Sequence, residues 1–297
     1  MLPCDSINEA MIKSLTLSIV IPVYNEEHHI KACLDAVAAQ SVRPHEVIVV
    51  DNNSTDDTVK IAKSYPFVKV IREKRQGKGN ARSAGLNAAT GDILGRIDAD
   101  SQIMKGWVER VLQDFSNDSI MGLTGPGCTD TLPFRLIPNF KSTVWSRGYF
   151  VSAHADTRMN TMWGANMAIR RTVWQAVHEE VCLDDKIVHE DIDLSLVMQK
   201  HGMKIYQDNE LLVTTRGATY HYLPKMAYYF YLRYTTLALH KEIYRGRTKA
   251  ELTGFFRTQA LRILSIVPSI IFVTTSLLAL PLDLFMLKIM KNKRWLD

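Results

Sequence analysis

The chain has 297 residues, 46% of them hydrophobic, which is room and apolar content for one large α/β domain or two small ones and excludes a disordered tail. Its 36 lysines and arginines against 31 aspartates and glutamates leave a formal charge of +5, and much of the excess comes late, at Arg245, Arg247, Lys249, Arg257 and Arg262 and then Lys288, Lys291, Lys293 and Arg294. Beside the most apolar segment and without a nucleic-acid-binding motif, that basic end suits a membrane surface better than a nucleic-acid groove.

Cys4, Cys33, Cys128 and Cys182 are widely spaced and form no CxxC, so neither a zinc site nor a disulfide framework is indicated and a reducing, cytosolic setting is expected. The opening MLPCDSINEAMIKSL carries Asp5 and Glu9 and lacks the apolar stretch of a secretory signal; residues 1–14 are expected to be a tail. LSIVIPV (17–23) is a continuous apolar run that predicts a buried strand. EEHHIKACLDAVAAQ follows with Ile30, Cys33, Leu34 and Val37 at helical spacing, and EVIVVD (46–51) returns to a strand. Ser54 and Thr55 can cap a helix through Ser64, FVKVI (67–71) is a third strand, and a helix from about Gly79 to Ala89 leads into the strand DILGRID. Four such units predict a mainly parallel sheet with helices on both faces, in which ligands bind beyond the carboxyl ends of the strands. Asp51, Asp98 and the loop Pro22-Val23-Tyr24-Asn25-Glu26 all end predicted strands, so they should meet at one edge.

The stretch GRIDADS (95–101) sets two aspartates one residue apart at the end of a run that otherwise reads as buried. Burying a carboxylate costs several kcal/mol and two neighbours repel, so a cation or a dense set of donors should compensate. On a strand, positions i and i+2 point to the same side, which lets Asp98 and Asp100 share one metal shell. An EF-hand reading of DADSQIMKGWVE fails, because Ile103 stands where the sharp turn needs glycine and a strand precedes the motif. Further on, HEDIDLSLVMQKHG reads as a helix: at 100° per residue Glu190 and Asp191 fall on the side of Leu194, Val197 and Met198 and face inward, while Asp193 points away.

Taken in order, IVIPVYNEE, VVDNNSTDDT, GKGNARSAGLNAATGDILGRIDAD, WGANMAIRR and HEDIDLSLVMQKHG resemble the family-2 glycosyltransferases of the GT-A fold over residues 16–210. The resemblance implies a Rossmann-like α/β domain at 15–222, with a donor-binding half at 15–125 and an acceptor half at 126–222. It implies transfer of a sugar from a nucleotide diphosphate donor with inversion, assisted by a divalent cation, Mg²⁺ or Mn²⁺. Asp98 and Asp100 would hold the cation, Asp98 beside the donor diphosphate; Pro22, Tyr24, Glu26 and Asp51 would sit against the nucleoside; Lys78 and Arg82 would approach base, ribose or phosphate. WGANMAIRR would be a glycine-rich acceptor or donor-sugar loop whose Trp163, Gly164 and Asn166 line the acceptor side with Glu190, Asp191 would be the general base, and His221 in RGATYHY a further metal ligand. Each has a plainer reading. Asp51 could only cap the Asn52-Asn53-Ser54 turn, Lys78 and Arg82 could form a solvated helix face, Arg96 could be a counter-charge and Trp163 could be core. A strand followed by DxDS is also similar to haloacid-dehalogenase-type phosphohydrolases, but there the motif opens the domain and here three predicted strands precede it. The QxxRW signature of processive synthases is absent, which favours single addition.

Seven of the eleven tyrosines lie between Tyr220 and Tyr244, a clustering that resembles an interfacial aromatic belt, and residues 223–262 are expected to form interfacial helices. Residues 263–282 carry no charge over a length that could span a bilayer, and 263–297 is expected to be a membrane-associated segment with a basic tail. A nucleotide donor implies a cytosolic catalytic domain, yet one span would put the basic tail outside, against the positive-inside bias; a segment bent near Pro268 or Pro281, or a buried helix, are the other readings. The expected partners are a nucleotide diphosphate sugar, a glycan or lipid-linked acceptor and membrane lipid, with no nucleic acid. A polyprenyl-phosphate glycosyltransferase is the runner-up, and a catalytically inactive nucleotide-sugar-binding scaffold is the alternative of another class.

Overall fold

The computed structural model describes residues 15–129, 143–215 and 223–240. The first half alternates β1 (Leu17–Val23), α1 (Ile30–Ala38), β2 (Glu46–Asp51), α2 (Thr58–Lys63), β3 (Val68–Arg72), α3 (Lys78–Ala88) and β4 (Ile93–Arg96). Then come β5 (Ser101–Ile103), α4 (Trp107–Phe115), β6 (Gly122–Thr124), β7 (Gly127–Thr129), α5 (Val144–Thr157), β8 (Met167–Arg170), α6 (Arg171–Val177), α7 (Glu190–Lys200), β9 (Ile205–Gln207), β10 (Val213–Thr215) and α8 (Leu223–Leu239). A seven-stranded sheet in the order β3-β2-β1-β4-β8-β6-β9 is the frame, and only β8 runs against its neighbours.

The continuous apolar strands of the sequence are buried on both faces, as parallel strands covered by helices must be. Their two-residue period divides the core. Ile19, Ile21, Val47 and Val49 pack under α1 and α4 with Ile30, Leu34, Trp107 and Phe115. The alternate residues Val20, Ile48 and Val50 face the other way, with Leu86 of α3, Trp174 of α6 and Val197 and Met198 of α7. Because Val23 pairs with Asp51 and Val20 with Arg96, the carboxyl ends of β1, β2 and β4 lie side by side. This brings together the strand ends expected to meet.

Three expectations need correction. The strands β5, β10 and β7 form a separate three-stranded sheet, which segments of three residues are too short to announce by periodicity. Helix α2 begins at Thr58 rather than at Ser54: the Ser54 hydroxyl accepts from the Asn25 amide, and Asp56 receives the Thr58 amide instead. Asp193 does not point away. It is buried, Oδ2 accepting from Cys182 N at 2.8 Å and Oδ1 pairing with His240 Nε2 at 2.8 Å, because α8 covers the face of α7 that a one-sided helix would leave wet. Among the described residues no helix is long and apolar enough to cross a membrane. His221, most of the 223–262 segment and all of 263–297 lie outside the described residues.

Candidate active site

Strand β4 ends at Arg96 and delivers Ile97-Asp98-Ala99-Asp100 to the sheet edge. Ile97 and Ala99 are buried while Asp98 and Asp100 stay partly exposed, on the loop and turn after β4 rather than on the expected strand. Burial, then Asp98, then Glu26 push the Asp100 carboxyl up to about 6. Asp98 and Glu26 thus both act on Asp100, while Arg82 lies 3.5 Å from Asp98 and His29 pairs with Glu26. Hard oxygen donors suit Mg²⁺ or Mn²⁺, and Mg²⁺ is commonly held through only one or two protein carboxylates plus substrate phosphates. That matters, because no group of three or more metal-binding side chains is assembled among the described residues. Asp98 and Asp100 thus fit a single hard divalent cation whose remaining ligands would come from outside these side chains.

The donor-side residues are positioned by the loops after β1 and β2. Pro22, the penultimate residue of β1, pairs with Val50, Tyr24 stands 51% exposed at the rim, and Glu26 pairs with His29 at 2.7 Å while its amide donates to Thr58 Oγ1. Asp51 is buried and its Oδ1 accepts from Ser54 N at 2.9 Å, so it does cap the turn, with its second oxygen not used in that bond. Asn52, read from sequence as a turn residue only, is a buried clamp. Its Nδ2 donates to the Glu73 and Arg75 carbonyls and its Oδ1 accepts from Gly77 N and Gln76 Nε2, which fixes the loop leading into α3. Lys78 starts α3 with its side chain exposed, and its amide donates to Asp185 Oδ2 at 2.8 Å. Arg82, one turn later, is buried. Its Nη2 lies 3.5 Å from Asp98 Oδ1 and its Nη1 pairs with Glu190, so it bridges the loop after β4 to the start of α7 rather than forming a solvated face.

The acceptor-side residues divide. Gly164 is buried, its amide donating to Asp191 Oδ2 at 2.7 Å and its carbonyl accepting from Arg96 Nε at 3.0 Å. Trp163 is half-buried, packed against the core with its ring over Gly127. Asn166 is corrected from an acceptor-facing residue to a core clamp: it is fully buried, Oδ1 accepting from Trp107 Nε1 at 2.8 Å and Nδ2 donating to Leu211 O at 2.6 Å. Asp191 is 4% exposed, with Arg96 Nη2 on Oδ1. Burial alone would push its carboxyl up, but Arg96, Arg82 and His189 outweigh that and hold it well below the usual carboxylate range.

Sequence reasoning gave Arg96 only as a counter-charge and missed His189 and Tyr229. Arg96 ties β4 to Gly164 and Asp191, and a lone arginine inside the apolar run ILGRI was the signal for it. His189, just ahead of the acidic pair, has an Nδ1 buried without a partner, and burial lowers its pKa to about 4. Its ring lies 5.7 Å from that of Tyr229 and 6.1 Å from that of Tyr149. Tyr229 of α8 thus lies beside His189, while Tyr228 and Tyr231 remain 44% and 56% exposed.

Comparison with known proteins bears on the family and the fold. The chain is 35% identical to glycosyltransferase AglE of Haloferax volcanii over 124 residues, 39% of this chain and 40% of that protein. It is 32% identical to a chondroitin synthase of Escherichia coli over 119 residues, 38% of this chain and 17% of that one. The chain thus spans well under two thirds of the curated relatives it matches. Among solved structures, the mannosyltransferase PcManGT of Pyrobaculum calidifontis with GDP-Man and Mn²⁺ superposes with a TM-score of 0.58 at 20% identity, covering 90% of this chain and 74% of that one. Glucosyl-3-phosphoglycerate synthase of Mycobacterium tuberculosis with Mn²⁺, UDP and glucosyl-3-phosphoglycerate gives 0.55 at 21% identity, covering 80% and 85%. These two show a shared GT-A-like fold. The model of glycosyl transferase family 2 matches residues 18–175, more than half of the sequence, and the chain belongs to that family of nucleotide-sugar glycosyltransferases.

Proposed function

We propose that this site moves one sugar from a nucleotide diphosphate donor to an acceptor hydroxyl, with inversion, at the cytoplasmic face of a membrane. The observation that carries the reading is the Asp98-Asp100 pair at the carboxyl edge of the sheet, joined through Arg82 to the acidic start of α7. When bound, Mg²⁺ or Mn²⁺ would neutralise charge on the departing diphosphate, with Asp98 and Asp100 as its protein ligands. The likeness to structures that hold Mn²⁺ with UDP or GDP-Man supports that choice of cation. Asp51 and Tyr24, beside the same edge, are placed for the nucleoside, and Lys78 and Arg82 supply positive charge toward the phosphates. Gly164 and Asp191 form the opposite wall. There the Asp191 carboxylate takes the acceptor's proton as the oxygen attacks the anomeric carbon and the bond to the diphosphate breaks.

One observation favours a second reading. Both oxygens of Asp191 are engaged and the carboxylate is held strongly ionised, which makes it a weak base as it stands. A phosphate acceptor is already nucleophilic and needs little base, so a polyprenyl phosphate fits these electrostatics, as does the uncharged run at 263–282. The test offers labelled nucleotide sugar to the wild type and to Asp191→Asn with polyprenyl phosphate in detergent or with simple glycosides. Transfer to a hydroxyl that falls ~10²–10⁴-fold in the variant supports the first reading. Transfer to phosphate that persists supports the second.

A further inference from the structure

Arg96 is a guanidinium inside a sheet. Strand β4 reads Ile93-Leu94-Gly95-Arg96 with all four residues buried, and Arg96 is 2% exposed. A buried cation costs several kcal/mol unless it is paired and hydrogen-bonded. A single carboxylate would suffice for neutralisation, yet Arg96 makes two different contacts, Nε to the Gly164 carbonyl at 3.0 Å and Nη2 to Asp191 Oδ1. The Gly164 amide then returns to Asp191 Oδ2 at 2.7 Å and closes a ring of three residues from β4, the 163–166 loop and α7. The ring leaves no room at its centre: a Cβ on residue 164 would lie 1.3 Å from Arg96 Nη2 and 2.5 Å from Asp191 Oδ1.

We propose that Arg96 is a positioning residue for sugar transfer, holding the 163–166 loop and the Asp191 carboxylate in register with the strand that leads into the Asp98-Asp100 loop. The proposal rests on the glycosyltransferase reading above. The charged or titratable groups that act on Asp191 are Arg96 from β4, Arg82 from α3 and His189 beside it. Burial opposes them by favouring the neutral acid, and Arg96 is the largest of the groups that keep it ionised. A carboxyl that Arg96 no longer holds down titrates at higher pH. Activity that needs Asp191 ionised is then lost earlier as pH falls, so the acid limb of kcat moves up.

The experiment uses the full chain with Mn²⁺ and whichever of UDP-glucose, UDP-N-acetylglucosamine or GDP-mannose the wild type hydrolyses. Release of nucleoside diphosphate to water is measured against pH, and UDP or GDP affinity is measured by calorimetry. In Arg96→Met the nucleotide Kd should stay within about threefold, kcat should fall ~10²-fold and the acid limb should rise. Arg96→Lys should recover part of kcat, because one ammonium reaches a single partner where the fork reached two. Gly164→Ala, which drives the guanidinium off Asp191 without removing it, should reproduce the fall. Wild-type kcat and pH profile in Arg96→Met, or in Gly164→Ala should the first not fold, overturn the proposal. So does a kcat that falls only in step with nucleotide affinity, the mark of a structural role alone. A wild type that binds neither nucleotide and hydrolyses no nucleotide sugar overturns the glycosyltransferase reading and the proposal with it; wild-type turnover with unaffected variants overturns the proposal alone.

Discussion

Asp98 and Asp100 could be singled out from sequence because two carboxylates after an apolar strand need an explanation, and Asp100 in the fold does sit half-buried beside Asp98 and Glu26. Removing either should therefore separate two affinities. Asp98→Ala or Asp100→Ala should weaken nucleoside diphosphate binding in Mn²⁺ by at least about tenfold while a bare nucleoside binds nearly as before, since the cation serves the phosphates; titration calorimetry with UDP and uridine, or GDP and guanosine, checks this. Equal losses for both ligands would place the pair in the nucleoside pocket. The acidic start of α7 gives a graded expectation: Asp191→Asn should lower kcat for a hydroxyl acceptor ~10²–10⁴-fold with donor Kd little changed, and Glu190→Gln less, its partner Arg82 keeping Asp98. What the sequence withheld at this scale were the partners. Arg96 and Asp191 are 95 positions apart, and Asn166 with Trp107 59 apart, so an arginine could be seen only as a counter-charge and an asparagine only as part of a glycine-rich loop. Residue type was readable, and pairing across the cleft was not.

Among the elements, the long apolar strands and α3 were legible because period and end signals agreed. The short strands of the second sheet were not, and α7 misled. Its sequence looks one-sided, but residues 191–198 are all buried, with Asp191 satisfied by Arg96 and Gly164 and Asp193 by Cys182 and His240. Polar residues can occupy a buried helix when each finds a partner, and such partners come from elsewhere in the chain. Helix α3 carries a sharper consequence. Gly85 lets it lie directly on the sheet: an added Cβ would fall 2.3 Å from Val20 Cγ1 and 2.7 Å from Val50 Cγ2. Gly85→Ala should thus destabilise by about 1–3 kcal/mol through overpacking, despite the better helix propensity of alanine. Denaturant melts give the answer, and a stabilised variant would mean that the α3–sheet contact is looser than described.

At the scale of the whole molecule, parallel strands set their carboxyl ends at one edge, and residues far apart in sequence meet there because topology requires it. That much followed from alternating strand and helix patterns. The role of the chain beyond Leu239 rests on composition: an uncharged run at 263–282 and basic residues after it. Deleting residues 263–297 should leave nucleotide binding intact, because every motif of the site lies upstream, while transfer to a lipid-linked acceptor falls and the protein leaves the membrane pellet. Full-length protein that stays in the supernatant without detergent would argue for a buried helix instead. The most direct measurement of the central claim is turnover of a panel of UDP- and GDP-sugars with Mn²⁺ and with excess chelator, in the wild type and in Asp98→Ala. The account predicts release of nucleoside diphosphate from at least one donor, lost with chelator and lost in the variant; full turnover in chelator, or release of phosphate from monoesters with no response to any nucleotide sugar, would contradict it.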